Sequence, residues 1–142
     1  MMLKKSYKLL ILPYTVFLLY LMFFGMGRFQ YKDNIVRIKP IVSTLWFIHD
    51  TVRWVDIFKI VVGNVVMFIP FGFLGWVFLQ LKDLKSLIVA FVSAIVIVEA
   101  LQYFSRLGVF DIDDIILNTF GVFLGWQIKK MLENRFSRLV VK

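Results

Sequence analysis

Four apolar stretches, roughly residues 9–26, 60–81, 84–104 and 115–132, decide what this chain can become. Each is close to the ~20 residues that a helix needs to cross the hydrocarbon layer of a bilayer. Backbone in lipid must satisfy its own hydrogen bonds, so such runs form helices. The reading is an all-α integral membrane protein, a single domain over residues 1–142. Its architecture is a compact bundle of four transmembrane helices. Hydrophobic residues make up 61% of the 142, against about 45–50% in an average soluble domain. The first run follows Lys4, Lys5 and Lys8, as a signal peptide would. No small-residue cleavage motif follows it and it is long for a signal, so it reads as a retained first helix.

Positive charge orients the spans. The head carries Lys4, Lys5 and Lys8, and the turn between spans two and three carries Lys82 and Lys85. The tail carries Lys129, Lys130, Arg135, Arg138 and Lys142. With four spans these regions share a side, which places both termini in the cytoplasm. The segment 27–59 and the short loop 105–114 then face outward. The loop is acidic, as an outer loop should be, whereas the long segment is net basic, against the rule. Within it, residues 43–58 carry Leu45, Ile48, Val52 and Val55 at helical spacing behind an N-cap Ser43. Trp46 and Trp54 suit headgroup depth, so an interfacial amphipathic helix is expected there.

Polar residues interrupt the apolar sequence mainly at one depth. Glu99, Gln102 and Arg106 fall at i, i+3 and i+7, on one face at the outer end of span three. Asp114 and Asn118, one turn apart, sit at the outer end of span four, after Asp111 and Asp113. Span two begins on the same side with Asp56, Lys59 and Asn64. Charges at membrane depth are costly and are usually paired or functional. Two roles fit. In one, Arg106 pairs with Asp114 or Glu99 while Asn64, Gln102 and Asn118 hydrogen-bond between helices, fastening the bundle. In the other, these groups line a cavity. The surplus of acids over bases favours the cavity, since fastening does not need five acidic positions.

Small residues and a proline punctuate the spans. Pro70 removes an amide and kinks span two, and Gly72 permits close approach by a neighbour. A packing kink is the simpler role; a freed carbonyl facing the polar cavity is the alternative. Gly121 and Gly125 form a small-xxx-small stripe that allows tight helix contact and leaves room for a homo-oligomer.

Much else is excluded. The chain has no cysteine and one histidine, His49. Disulfide chemistry is out, a histidine-built metal site is not expected, and no cofactor motif is present. The net charge of +8 reads as topology and phospholipid contact, not nucleic-acid binding. No nucleophile–histidine pairing supports an enzyme, although a carboxyl acting as acid or base on a lipid headgroup stays open.

Three stretches resemble the VanZ-like family of bacterial membrane proteins. The first is Asn64-Val65-Val66-Met67-Phe68-Ile69-Pro70-Phe71-Gly72-Phe73-Leu74. The second is Glu99-Ala100-Leu101-Gln102-Tyr103-Phe104-Ser105-Arg106. The third runs from Phe110 through Asp111, Asp114 and Asn118 to Gly121, with Gly125 after it. The likeness covers about residues 56–126, and three ordered blocks are far more specific than one. It implies that Asn64, Pro70, Glu99, Gln102, Arg106, Asp111, Asp114 and Asn118 matter. It also implies a role in low-level resistance to teicoplanin, a lipoglycopeptide that binds cell-wall precursors outside the membrane. The expected partners are membrane lipids and, at the outer cavity, a lipid-linked envelope precursor or the drug. An intramembrane enzyme that modifies a lipid headgroup or lipid-linked precursor is the competing expectation.

Overall fold

The computed structural model describes the backbone of residues 2–25, 30–38 and 62–140, with side chains for 3–25, 30–38 and 62–135. The described residues are mostly helical. Helix α1 is Met2–Phe24 and α2 is Val62–Trp76. A single 3-10 turn, Leu79–Leu81, follows. Helix α3 is Leu84–Ser105 and α4 is Ile112–Val140. Two short strands, β1 (Val36–Arg37) and β2 (Phe110–Asp111), pair in parallel, Val36 opposite Phe110 and Arg37 opposite Asp111. Two helices, α1 from Leu3 and α3, are long and apolar enough to cross a membrane. The interfacial helix expected at 43–58 lies outside the described residues, as do His49, Asp56 and Lys59.

Each helix has a local cause. The Asp83 carboxylate accepts the Ser86 amide at 2.8 Å and caps the start of α3, an arrangement that satisfies one of the orphan donors of a first turn. That bond holds the Asp83 carboxyl below its usual pKa. The Asp111 carboxylate accepts the Asp113 amide at 2.9 Å and does the same for α4, with Asp113 and Asp114 in the first turn complementing its positive end.

Span two departs from expectation. Its helix stops at Trp76, not at residue 81, and its second half, Ile69–Trp76, is wound as 3-10 helix. Such runs rarely exceed about 3–4 residues. Pro70 offers no amide, and the Met67 carbonyl three residues earlier accepts the Tyr14 hydroxyl at 2.6 Å. The Pro70 carbonyl accepts the Tyr7 hydroxyl at 2.9 Å. The kink is therefore stapled to α1 by two tyrosines.

The glycine stripe of α4 serves this chain's own α2. A Cβ added at Gly121 would collide with the Val65 carbonyl oxygen, and one at Gly125 with that of Ile69. Gly72 faces the backbone of Gly125 and Trp126 in return. A homo-oligomer through this face would have to displace α2. The core draws on all four helices: Leu18 of α1, Phe68 of α2, Leu87, Phe91 and Ile95 of α3, and Val122 of α4.

Adjacent helices alternate in direction. At one end Lys4 pairs with Glu133 at 3.7 Å, the Trp76 indole donates to Glu133 at 2.8 Å and the Trp126 indole donates to the Lys82 carbonyl at 3.1 Å. At the other end Gln102 donates to the Met22 carbonyl at 2.7 Å. Head, turn and tail lysines thus share one end of the bundle, and the polar cluster occupies the other.

Candidate functional site: a polar cavity at one end of the bundle

A cavity of about 270 Å3 sits between the four helices and the loop strands. From α2 it is lined by Asn64, from α3 by Glu99 and Gln102, from β2 by Asp111, and from α4 by Asp114 and Asn118. Six of the seven positions expected to cluster are therefore brought to one space. Leu18, Met22 and Phe68 close its deeper side.

The lining is knitted together. Asn64 donates to Asp114 at 2.7 Å, joining α2 to α4. Glu99, 1% exposed, accepts the Asp111 amide at 3.3 Å and ties α3 to the strand that starts α4. Gln102, 2% exposed, spends its amide nitrogen on the Met22 carbonyl, holding α1 against α3. Asn118 differs. It is 2% exposed, and its side-chain oxygen has no hydrogen-bond partner among the described residues. Buried polar atoms are nearly always paired, so an orphan acceptor on a cavity wall marks a place where a donor can bind.

Arg106 is the exception to the expected cluster. Helix α3 ends at Ser105, and Arg106 takes the left-handed conformation with φ 59°. The helical i+7 relation to Glu99 therefore fails at its last position. The guanidinium turns away from the acids and donates to the Lys32 carbonyl at 3.1 Å. Neither of the pairings foreseen for it, with Asp114 or Glu99, forms.

Arg37 supplies the basic group instead. It lies 3.6 Å from the Asp111 carboxylate and lines the cavity together with Tyr31. The segment that carries them is laced onto the carbonyls at the end of α3. Tyr31 donates its amide to Arg106 O at 2.9 Å, and Asn34 donates its side-chain amide to Tyr103 O at 2.9 Å. The Tyr103 carbonyl also takes the Arg106 amide at 3.1 Å, so the segment joins the cap of α3, and capping this helix end and covering the cavity are one arrangement. Neither Tyr31 nor Arg37 stood out in the sequence. The signal that could have found Arg37 is the acid surplus itself, which calls for a basic partner from the net basic segment 27–59.

Among the described residues the lining comprises three carboxyl groups, one guanidinium and the orphan amide oxygen of Asn118. No cluster with metal-ligand geometry occurs among the described residues.

The profile of the VanZ/LLP1 family matches residues 11–133, nearly the whole chain. The chain belongs to the VanZ/LLP1 family. Protein VanZ of Enterococcus faecium is 27% identical over 139 residues, covering 90% of this chain and 79% of that protein. No solved structure matches. All six cavity positions foreseen from the sequence fall within the family match, as do Tyr31 and Arg37. So do the kink at Pro70 and the small residues Gly72, Gly121 and Gly125 that seat α2 on α4.

Proposed function

We propose that this chain is a polytopic protein of the bacterial plasma membrane that gives low-level resistance to teicoplanin-type lipoglycopeptides. It acts at the outer face, through a polar cavity that binds an envelope lipid, a lipid-linked precursor or the drug. Family membership and the likeness to Protein VanZ support the resistance-related role.

The membrane reading is supported by where the apolar side chains go. The core helix of a soluble protein is mostly buried, but the most apolar windows of α1 and α3 are only 11% and 22% buried. Leu9 and Leu12 on α1 are 76% and 70% exposed, and Phe104 on α3 is 74% exposed. Apolar surface on that scale requires lipid or a partner to cover it. We read α2 and α4 as the remaining spans. The gathering of Lys4, Lys82 and Lys129 at one end supports cytoplasmic termini, and on that reading the cavity faces outward.

The observation that carries the site is the wall made by Glu99, Asp111, Asp114 and the orphan oxygen of Asn118. A cluster that only fastened helices would leave no acceptor unpaired and no room beside it. The test is drug susceptibility in cells that make wild-type protein or the Glu99→Gln and Asp114→Asn variants at equal levels. The reading expects protection from wild type and its loss in both variants; full protection by both would remove the site from the account.

A further inference from the structure

A second cavity, of about 420 Å3, lies beside the first and shares Leu18, Met22 and Phe68 with it as walls. Thr15 is the one polar residue of its lining, and the Thr15 hydroxyl already donates to the Ile11 carbonyl at 2.8 Å. Water needs about 2–4 polar partners to settle in a cavity, so this space serves it poorly. The rim includes Leu19 of α1 with Ala90 and Ala94 of α3, all exposed. Ala90 and Ala94 are one turn apart, and their small side chains leave the gap open. These two helices are the ones long and apolar enough to cross a membrane. What stands at such a rim in a bilayer is hydrocarbon.

Across Phe68 the polar cavity offers one open hydrogen-bonding position. The side-chain amides of Asn64 and Gln102 are spent on Asp114 and on the Met22 carbonyl. The Asn118 oxygen is different: the residue is 2% exposed, lines the cavity and leaves that acceptor without a partner among the described residues. Such an atom calls for an N–H or O–H donor, whatever the charge of the group that carries it. We infer that the two cavities together hold one membrane lipid. One hydrocarbon chain enters between α1 and α3 and packs against Phe68, Phe91 and Ile95, and an O–H or N–H of the head donates to Asn118 Oδ1. The head's place deepens the proposed function and rests on the polar cavity being a working site; the chain's place does not.

Photolabelling of the full chain tests the chain's place. Vesicles of phosphatidylglycerol carry a trace of the same lipid with a diazirine midway along one chain, and mass spectrometry maps the labelled residues. Phe68, Phe91 and Ile95 are 5%, 7% and 3% exposed, so lipid that merely surrounds the bundle does not reach them. They should be labelled along with exposed Leu9. Ala94→Phe, at the rim, should cut the labelling of Phe91 about tenfold, the worth of roughly two buried methylenes, and leave that of Leu9 unchanged. Labelling confined to exposed positions, or untouched by Ala94→Phe, overturns the chain's place. Native mass spectrometry tests the head with three lipids of identical chains. Phosphatidylglycerol offers O–H donors, phosphatidylethanolamine N–H donors and phosphatidylcholine neither. Both donor lipids should be retained about fivefold more tightly than phosphatidylcholine, the value of one hydrogen bond, and Asn118→Leu should erase that advantage. Equal retention of all three, an advantage for one donor lipid alone, or one that survives Asn118→Leu overturns the head's place. A thermal melt confirms that each variant is folded. If the lipid fails these tests while Glu99→Gln abolishes protection in cells, the inference falls and the polar cavity stands. If the chain labels as expected while Glu99→Gln protects fully, the chain site stands and the proposed function of the polar cavity falls.

Discussion

Replacing Gly125 with alanine sets two effects of known size against each other. Alanine in a helix interior gains about 1 kcal/mol over glycine from backbone propensity. Against that, the new Cβ collides with the Ile69 carbonyl oxygen, with Ile69 C at 2.9 Å and Gly72 Cα at 3.1 Å, where ordinary contact is 3.4–4 Å. These neighbours are backbone, so no rotamer change relieves them, and α2 must move off α4. Overpacking of this kind costs about 1–3 kcal/mol, and the rigid neighbours place Gly125 at the upper end. The net expectation is a loss of about 2 kcal/mol. Gly63 is the control. A Cβ there meets nothing within 4 Å, so Gly63→Ala should keep the propensity gain of up to about 1 kcal/mol. Equilibrium unfolding in mixed detergent micelles measures both. The two alanines should shift stability in opposite directions; a Gly125→Ala protein at least as stable as wild type would refute the close α2–α4 contact.

Three further outcomes are expected. Tyr14→Phe removes the hydroxyl that serves the Met67 carbonyl at the kink and should cost about 1 kcal/mol in the same unfolding assay. Arg37→Gln should reduce protection against lipoglycopeptide more than Arg106→Gln, because Arg37 faces Asp111 in the cavity while Arg106 serves a loop carbonyl; equal losses would argue against the assignment. The capping bond from the Ser86 amide holds the Asp83 carboxyl below its usual pKa, so its contribution is present at neutral pH and fades as pH falls through that lowered value. The melting-temperature gap between wild type and Asp83→Ala should therefore narrow in acid, and a gap that widens would contradict the cap.

The convergence of Asn64, Glu99, Gln102, Asp111, Asp114 and Asn118 was legible because helix periodicity is local. Once three apolar spans are laid antiparallel, residues at one depth and on facing stripes meet. The kink was legible from Pro70 and Gly72 for the same reason. Helix ends were less so. Arg106 reads as one more helical position, yet the chain leaves the helix there and spends a non-glycine residue in the left-handed region, a strain of about 1–3 kcal/mol. The loop carbonyls and amides of residues 30–34 that reward this turn lie some seventy positions away in sequence. Arg37 was hidden for a related reason. Its place opposite Asp111 depends on a two-residue parallel strand pair that no alternation pattern announces. The Gly121 and Gly125 stripe announced a close contact, but a stripe does not say with whom, and α2 proved to be the partner.

The central claim is that the acid-lined cavity does the work of this protein. The most direct measurement is the amount of lipoglycopeptide bound at the cell surface in cells lacking the protein, making wild type, or making Glu99→Gln at matched levels, with Gly63→Ala as a neutral substitution. Wild type and Gly63→Ala should lower bound drug and raise resistance together, while Glu99→Gln should behave like the empty cell. If Glu99→Gln protects as well as wild type, the cavity is a fastening of the helix bundle and the activity lies elsewhere in the chain.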